Sequence, residues 1–219
     1  MIIDMHVHTK LSGDSSATAE EYCRAIEKFR RHHPFDGIVI TEHRVYHPNE
    51  AYQEIAEKYE MLIFQGIEVD ADFGHLLLYG ITDKFLRAID ISQRHLNSEK
   101  VIRTIADSGG IAIPSHPFRE SGYGAALKAH TNTLNGITII EELNGTNTAE
   151  QNGKAIDLIG KNGLRGIGGS DAHYANKHWF LSCATAFANP IHTMADLVKE
   201  LRKGDFKPIT LDNTVLGDF

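Results

Sequence analysis

Short apolar runs alternate with amphipathic stretches along the whole chain. Most of the runs are rich in β-branched residues and are bounded by Gly or Pro, which is typical of strands buried on both faces. They are Ile2–Val7, Gly37–Thr41, Met61–Gly66, His75–Gly80, Ile111–Pro114, Ile137–Leu143, Arg165–Gly168 and Ala184–Ala188. Because these strands alternate with helical stretches, we predict an α/β fold with a mainly parallel sheet and helices outside it.

Helix start signals lie between these runs. Thr18-Ala-Glu-Glu21 and Thr148-Ala-Glu-Gln151 have the spacing of capping boxes, and Ser98 and Thr193 stand just ahead of two further helical stretches. Neither an internal repeat nor a Ser/Gly/Pro-rich linker interrupts the alternation, so we expect a single domain over residues 1–219. An open doubly wound sheet would carry a Gly-rich turn after its first strand, whereas this strand ends in His-Val-His. We therefore expect a barrel-like closure with a site at the carboxyl ends of the strands.

The first strand brings two histidines, His6 and His8, to its end. Residues two apart in a strand point to the same side, so both imidazoles can reach one ion; the alternative is two half-buried histidines on a strand face. Asp14 follows on the next loop, where Ser-Gly-Asp is also ordinary turn chemistry. This segment therefore offers three candidate ligands.

The second and third strands also end in ionisable residues. Val-Ile-Thr-Glu-His places Glu42 and His43 where the first strand places His8, and Gly-Ile-Glu ends the third strand at Glu68. A carboxylate at the end of a buried strand needs a partner, because an unpaired charge is costly in a low dielectric. We expect Glu42 to cap a helix or support a ligand rather than to bind an ion directly.

Three later segments repeat the pattern. His75 directly precedes a core strand, His116 follows Ile111–Pro114, and Gly-Gly-Ser-Asp-Ala-His supplies Asp171 and His173. Six segments that each bring a His or a carboxylate to a strand end indicate one shared site. The nine candidate ligands are His6, His8, Asp14, His43, Glu68, His75, His116, Asp171 and His173. Nine are too many for one tetrahedral zinc ion and suit two or three ions that share a bridging carboxylate.

Composition supports a metal site and limits the partners. The chain has 13 His, against 22 Lys and Arg together. Its 29 Asp and Glu give a formal net charge of -7, and no extended basic track is visible, so we expect no nucleic-acid partner. No apolar run approaches the ~20 residues of a membrane span, and the charged first residues do not resemble a signal peptide. The distant Cys23 and Cys183 form no CxxC pair, which favours reduced thiols and a cytoplasmic location.

Taken together, these residues resemble the motifs of the PHP family, the polymerase and histidinol phosphatase domain. The motifs are Asp4-x-His6-x-His8-Thr9, Thr41-Glu42-His43, Gly66-Ile67-Glu68, Ser115-His116-Pro117 and Gly169-Ser170-Asp171-Ala172-His173. The resemblance implies a distorted, TIM-like (β/α)7 barrel with a trinuclear metal site. Thr-Glu-His replaces the family's usual Thr-Asp-His beside the ligand His43. Asp14 stands where some members have His, as in the small stand-alone phosphatases of the family.

The resemblance also implies how the ligands divide among two to three divalent ions, which would be Zn, Mn or Fe. One ion would take His6, His8, Glu68 and Asp171. A second would share Glu68 and take His75 and His116, and a third would take Asp14, His43 and His173. The expected catalytic residues are Glu68, Asp171 and His173.

Three further residues are candidate substrate contacts. Arg119, two residues past Ser-His-Pro, can pair bidentately with phosphate oxygens, and a solvated loop arginine is the alternative. Asn144 lies in Glu-Glu-Leu-Asn-Gly, which resembles a family feature near the substrate pocket, although Asn before Gly is also common in turns. His178 lies five residues past His173, within reach of the site.

The charge count favours an anionic substrate. Three divalent ions would bring six positive charges, and the three carboxylates among the ligands would return three, so the pocket would stay positive. Ions about 4 Å apart can share a hydroxide with a pKa near 7 and stabilise both oxygens of an in-line displacement. We therefore predict a metal-dependent phosphatase or phosphoesterase that acts on a small phosphate monoester.

Two alternatives to this function stay open. One is a non-catalytic or proofreading (3'-5' exonuclease-type) PHP module, against which the complete ligand set counts. The other is an amidohydrolase that acts on C–N bonds. Such an enzyme would be expected to carry a bridging or carbamylated Lys at a strand end, and none of the strand ends carries one.

Overall fold

The computed structural model of the protein describes residues 1–47, 50–119 and 136–214. Nine strands lie in these ranges: β1 Ile2–Val7, β2 Gly37–His43, β3 Leu62–Ala71, β4 Gly74–Tyr79, β5 Ile111–Pro114, β6 Ile139–Asn144, β7 Arg165–Gly169, β8 Cys183–Phe187 and β9 Phe206–Thr210. Six α-helices lie in the same ranges: α1 Ala19–Phe29, α2 Glu50–Tyr59, α3 Asp83–Ala88, α4 Ser98–Asp107, α5 Ala149–Asn162 and α6 Met194–Lys203. None of these helices combines the length and the apolar composition needed to cross a membrane.

The strands curl into a barrel. β1, β2 and β3 pair in parallel, and β4 pairs antiparallel with both β3 and β5. β6 and β7 form a separate parallel pair that contacts β5 on one side and β1 on the other. β1 to β7 therefore follow one another around a distorted, TIM-like barrel, while β8 and β9 extend the main sheet beyond β1. This arrangement confirms the predicted fold class.

One barrel strand departs from the predicted parallel order. A tight turn between Ala71 and Gly74 joins β3 to β4, so β4 runs opposite to its neighbours. As a result the first residues of β4 lie at the edge where β3 ends, and His75 is the register partner of Asp70. His75 thus reaches the site from the amino end of its strand, as its place directly before the apolar run indicated, and the expected site at the carboxyl ends of the strands does not hold for β4.

The helix start signals are largely confirmed. Thr18 and Thr148 form complete capping boxes at α1 and α5, and Thr193 forms a third at α6. Ser98 is the first residue of α4, whose N-cap is Asn97. β9 was not predicted, because Phe-Lys-Pro-Ile-Thr contains a proline; a strand with a proline is tolerated at a sheet edge, which is where β9 lies.

The core below the site joins the barrel strands to α6. Its strand members are Ile3, Met5, Val39, Leu77, Ile113, Ile139 and Ile167, and they form one cluster with Leu197, Val198 and Leu201 of α6. Val39 and Leu77 lie four and two residues from His43 and His75, so they point to the same side of their strands as these candidate ligands. This packed layer fixes the strands whose ends carry the candidate ligands.

Candidate metal centre

The structure brings all nine candidate ligands together at one end of the barrel. Their donor atoms form overlapping groups that are linked through a few shared residues. Three of the groups are His6, His8, Glu68 and Asp171; Glu68, His75 and His116; and His8, His43 and His173. Asp14 joins the third of these, because its Oδ2 lies 3.3 Å from Nε2 of both His43 and His173. A fourth group is formed by His43, Asp70 and His75, and Asp70 was not among the predicted ligands.

The first group has the geometry of a four-coordinate ion site. Nε2 of His6 lies 2.9 Å from Nε2 of His8 and 3.2 Å from Oε2 of Glu68. Oδ1 of Asp171 lies 3.4 Å from the first of these nitrogens and 3.3 Å from the second. Ligands about 2.0–2.1 Å from a tetrahedral zinc ion are about 3.3–3.4 Å from one another. The four donors therefore fit a metal ion at their centre.

Glu68 connects the first group to the second. Its Oε2 faces His6 and His8, while its Oε1 lies 3.1 Å from Nδ1 of His75 and 3.0 Å from Nε2 of His116. Each carboxylate oxygen thus belongs to a different donor group. This is the position that a carboxylate bridging two ions would occupy.

The third group lies nearer to solvent. Asp14 is half exposed, and the rings of His43 and His173 are each 4.4 Å from the ring of His8. Nδ1 of His173 donates to the backbone carbonyl of Asp171 at 3.0 Å, which leaves Nε2 directed at Asp14. The three donors around this point match the third set implied by the resemblance.

Hydrogen bonds from outside the donor groups orient the ligands. Oε1 of Glu141 accepts from Nδ1 of His6 at 2.9 Å, and its Oε2 accepts from the backbone N–H of His116 at 2.6 Å. Ser12 contacts Nδ1 of His8 at 3.1 Å. A partner on one ring nitrogen leaves the other free for an ion. The role of Glu141 was not predicted, although a glutamate within the apolar strand Ile-Ile-Glu-Glu-Leu was an available signal.

Glu42 supports the loop that follows β1. The buried Glu42 carboxylate accepts from the backbone N–H and the hydroxyl of Thr9. It joins none of the donor groups found among the described residues. The structure therefore agrees with the expectation that Glu42 braces the site rather than binding an ion.

Three residues at the site have a positive φ, which is rare outside glycine. The φ angles are 56° for Arg44, 27° for His116 and 54° for Asp171. Such backbone conformations cost on the order of 1–3 kcal/mol each and persist only where neighbours hold them. The N–H of Asp171 donates to the carbonyl of His6 at 2.7 Å, and that of Arg44 to the carbonyl of Glu68 at 2.9 Å. The strained residues are thus held by the site itself.

The carboxylates at the centre dominate the electrostatics. Burial alone would lower the pKa of His6, but Asp171, Glu141 and Glu68 raise it well above its ordinary value. Burial also opposes protonation of His8, yet hydrogen bonds with Asp171 and Glu68 raise its pKa to about 9. The negative field that stabilises protons on these imidazoles would equally stabilise a cation in their place.

Arg119 and Asn144 lie beside the donor groups and contact each other. Arg119 forms an ion pair with Oδ2 of Asp171 at 2.7 Å and donates to Oδ1 of Asn144 at 2.9 Å. Asn144 in turn donates to Oε2 of Glu141 at 2.9 Å. These contacts rule out the solvated-loop interpretation of Arg119. His178 is exposed, and the ring contact found for it in the described part of the chain is with Trp179, not with the donor groups.

A barrel that gathers histidines and carboxylates at the ends of its strands has the architecture of a metal-dependent hydrolase. A sequence model of the PHP domain matches residues 4–116, and a second model, described as PHP-associated, matches residues 149–206. Because the first match covers more than half of the 219 residues, the chain belongs to the PHP domain family. A search of curated proteins gave no match.

Several solved structures share the fold. PsfC from Pseudomonas syringae PB-5123 superimposes with a TM-score of 0.70 at 18% identity, covering 98% of this chain and 93% of that one. A protein from Bifidobacterium adolescentis provisionally assigned as a metal-dependent phosphoesterase gives a TM-score of 0.59 at 17% identity, covering 80% of this chain and 89% of that one. Endonuclease Q, in complex with a duplex containing an abasic lesion, gives a TM-score of 0.66 at 16% identity, covering 94% of this chain and 58% of that one. At these identities the likeness is one of fold.

Proposed function

We propose that the chain is a metal-dependent phosphoesterase that hydrolyses small phosphate monoesters. The observation that carries this proposal is the continuous set of donors joined through the two oxygens of Glu68. The proposed metal ligands, for two to three Zn, Mn or Fe ions, are His6, His8, Asp14, His43, Glu68, His75, His116, Asp171 and His173. When bound, such ions would lower the pKa of a water molecule and polarise phosphoryl oxygens.

Charge explains the preference for phosphate. Three divalent ions would outweigh the carboxylates of Asp14, Glu68 and Asp171, and the neutral histidines add no charge. The pocket would therefore be positive within a chain of net charge -7. A phosphate dianion complements such a pocket, and a compact positive pocket suffices for a monoester.

Residues of the chain then orient the substrate. Arg119 offers a planar guanidinium at the edge of the site, and its contact with Asn144 fixes its direction. We propose that Arg119 binds a phosphoryl oxygen, and that the catalytic residues Glu68, Asp171 and His173 position the reacting groups through the ions that they would hold. Asn144 acts through Arg119 and Glu141. We also propose that His178 contacts the outer part of the substrate, which requires its ring to leave Trp179.

The two buried cysteines bear on the nucleophile and on the cellular location. Cys23 and Cys183 are free thiols, and burial raises the pKa of each to about 12. Neither thiol is therefore suited to act as a nucleophile at neutral pH. Reduced thiols support the proposal of a cytoplasmic location. We also propose that the chain forms a single domain and acts without a nucleic-acid partner.

A substrate panel tests this function against the two alternatives. Metal-loaded protein is assayed at ~0.15 M salt, where weak surface attraction is screened, on p-nitrophenyl phosphate, bis(p-nitrophenyl) phosphate, abasic duplex DNA and an acyl p-nitroanilide. We expect the highest kcat/KM on the monoester and loss of that activity with a chelator. Asp171→Asn should lower it at least about 100-fold, because a ligand is lost.

The matched control for this panel is Asp107→Asn. Asp107 is exposed at the end of α4, and its substitution removes the same charge from a surface position. We expect its activity to equal that of the wild type. Higher turnover of DNA or of the anilide than of the monoester would refute the proposed substrate class.

A further inference from the structure

The segment between α3 and α4 folds back onto the rim of the site. The backbone N–H of Leu96 donates to the carbonyl of Asp70 at 2.9 Å, and the N–H of Asp72 donates to the carbonyl of Leu96 at 2.8 Å. Ser98 then donates its N–H to the Asp72 carboxylate at 3.1 Å. These bonds fix the backbone next to Arg94 beside the end of β3, so the Arg94 side chain starts from a defined position.

Arg94 shares a carboxylate with a second arginine. Both oxygens of Asp70 lie within 2.9 Å of Nη1 of Arg44, while Nε of Arg94 lies 3.9 Å from Oδ2 of Asp70. Oδ1 of Asp70 is in turn 3.7 Å from Nε2 of His75, one of the proposed ligands. Because Asp70 itself belongs to the donor group of His43 and His75, Arg94 is one side-chain contact away from the donor groups.

Arg94 has only a long contact with the carboxylate beside it. Arg44 already occupies both oxygens of Asp70, and the nearby Asp72 carboxylate accepts from the N–H of Ser98. The side chain of Arg94 is 69% exposed, and its terminal nitrogens have no partner among the described residues. One positive charge is thus available to a molecule in the site.

We propose that Arg94 selects substrates whose leaving group carries a second negative charge, either a carboxylate or a phosphate; this inference rests on the proposed phosphoesterase function. The ester phosphate would bind to the ions that the donor groups hold, and the second anionic group would extend past His75 toward the rim. Arg44 is a positioning residue here, because it holds the carboxylate against which Arg94 lies. The guanidinium can pair with either anion through two parallel hydrogen bonds.

Binding of non-hydrolysable probes tests this role without relying on turnover. The affinities of zinc-loaded protein for phenylphosphonate and for its 3- and 4-carboxy derivatives are measured by titration calorimetry. We expect the wild type to bind the better carboxylated probe about 3–5-fold more tightly, the upper part of the range of an exposed ion pair. The ratio of the affinities for the carboxylated and the plain probe should fall toward 1 in Arg94→Gln. In Arg94→Lys this ratio should stay close to that of the wild type.

A matched substitution separates this role from a general effect of charge. Arg31 is an exposed arginine beyond the end of α1, and Arg31→Gln should keep the wild-type ratio. A wild-type ratio of 1, or the same ratio in Arg94→Gln as in the wild type, would overturn the inference.

Hydrolysis of the corresponding phenyl phosphates is measured in parallel to keep the two proposals distinguishable. Binding with the Arg94-dependent preference but without hydrolysis would support Arg94 and overturn the phosphoesterase proposal. Hydrolysis without the preference for the carboxylated compounds would support the phosphoesterase proposal and overturn the role of Arg94. A wild-type protein that binds none of the phosphonates would overturn both.

Discussion

Asp4 lies beneath the donor groups and supports them through the backbone. Its Oδ1 accepts from the N–H of Ser170 at 2.8 Å and from the N–H of His6 at 3.1 Å. Its Oδ2 is buried without a hydrogen-bond partner among the described residues. Burial raises the pKa of Asp4 to about 7, although the contacts with Ser170 and His6 lower it. The carboxyl group therefore takes up a proton far more readily in the folded chain than in the unfolded one.

This pKa makes the stability of the metal-free protein depend on pH. Between pH ~4 and ~7 the native state holds the proton that the unfolded state has lost, so the free energy of unfolding falls as pH rises. Asp4→Asn keeps the Oδ1 acceptor and removes this titration. Relative to the wild type, the variant should gain roughly 2–4 kcal/mol between pH 4 and pH 7 in urea unfolding of chelator-treated protein. A constant difference between the two proteins across this range would contradict the assignment.

The sequence predicted the candidate ligands of the site but not the residues that orient them. Eight of the nine candidate ligands stand near a strand end, a position that local pattern determines, and the ninth, Asp14, stands on the loop after β1. The orienting contact between His6 and Glu141 joins residues 135 positions apart in the chain. It depends on how β6 packs against β1 and β7, which no local pattern encodes. The same holds for the pair formed by Arg119 and Asp171.

At the scale of elements, the site depends on the close approach of β7 to β1. A Cβ added at Gly169 would lie 2.5 Å from Cβ of His6 and 2.9 Å from its backbone nitrogen. Only glycine allows β7 to lie this close to the strand that carries His6 and His8. The approach also lets the N–H of Asp171 reach the carbonyl of His6.

Gly169→Ala should therefore separate the two strands. We expect it to lower the free energy of unfolding by about 1–3 kcal/mol and to reduce the number of bound ions, because His6 is displaced. Elemental analysis and urea unfolding measure the two effects. Gly153→Ala is the control: it lies in α5 with no atom within 4 Å of the added Cβ, so it should stabilise the protein by about 0.5–1 kcal/mol. Wild-type ion content and stability in Gly169→Ala would refute this account of β7.

Most elements followed from the hydrophobic pattern, and the exceptions have physical causes. β1 and β5 begin and end where their apolar runs do, because both strands are buried along their length. The direction of β4 was not predicted. Its apolar run would be the same whether a short turn made it antiparallel to β3 or a crossover made it parallel. That reversal matters for function, because it brings His75 to Glu68.

At the scale of the whole molecule, the barrel concentrates ionisable groups that are dispersed in the sequence. His6 and His173 are separated by 167 positions, yet both belong to the linked donor groups. The net charge of -7 and the negative field at the site together favour cations there. The central claim is therefore that bound divalent ions convert this cluster into a phosphomonoesterase.

A metal titration tests this claim most directly. Chelator-stripped protein is titrated separately with Zn, Mn and Fe(II), and the turnover of p-nitrophenyl phosphate is plotted against the number of ions bound per chain. We predict no turnover without ions and a maximum when two to three ions are bound. Two results would contradict the account. One is equal turnover in the stripped and the loaded protein, and the other is no turnover with any of the three metals when the site is saturated.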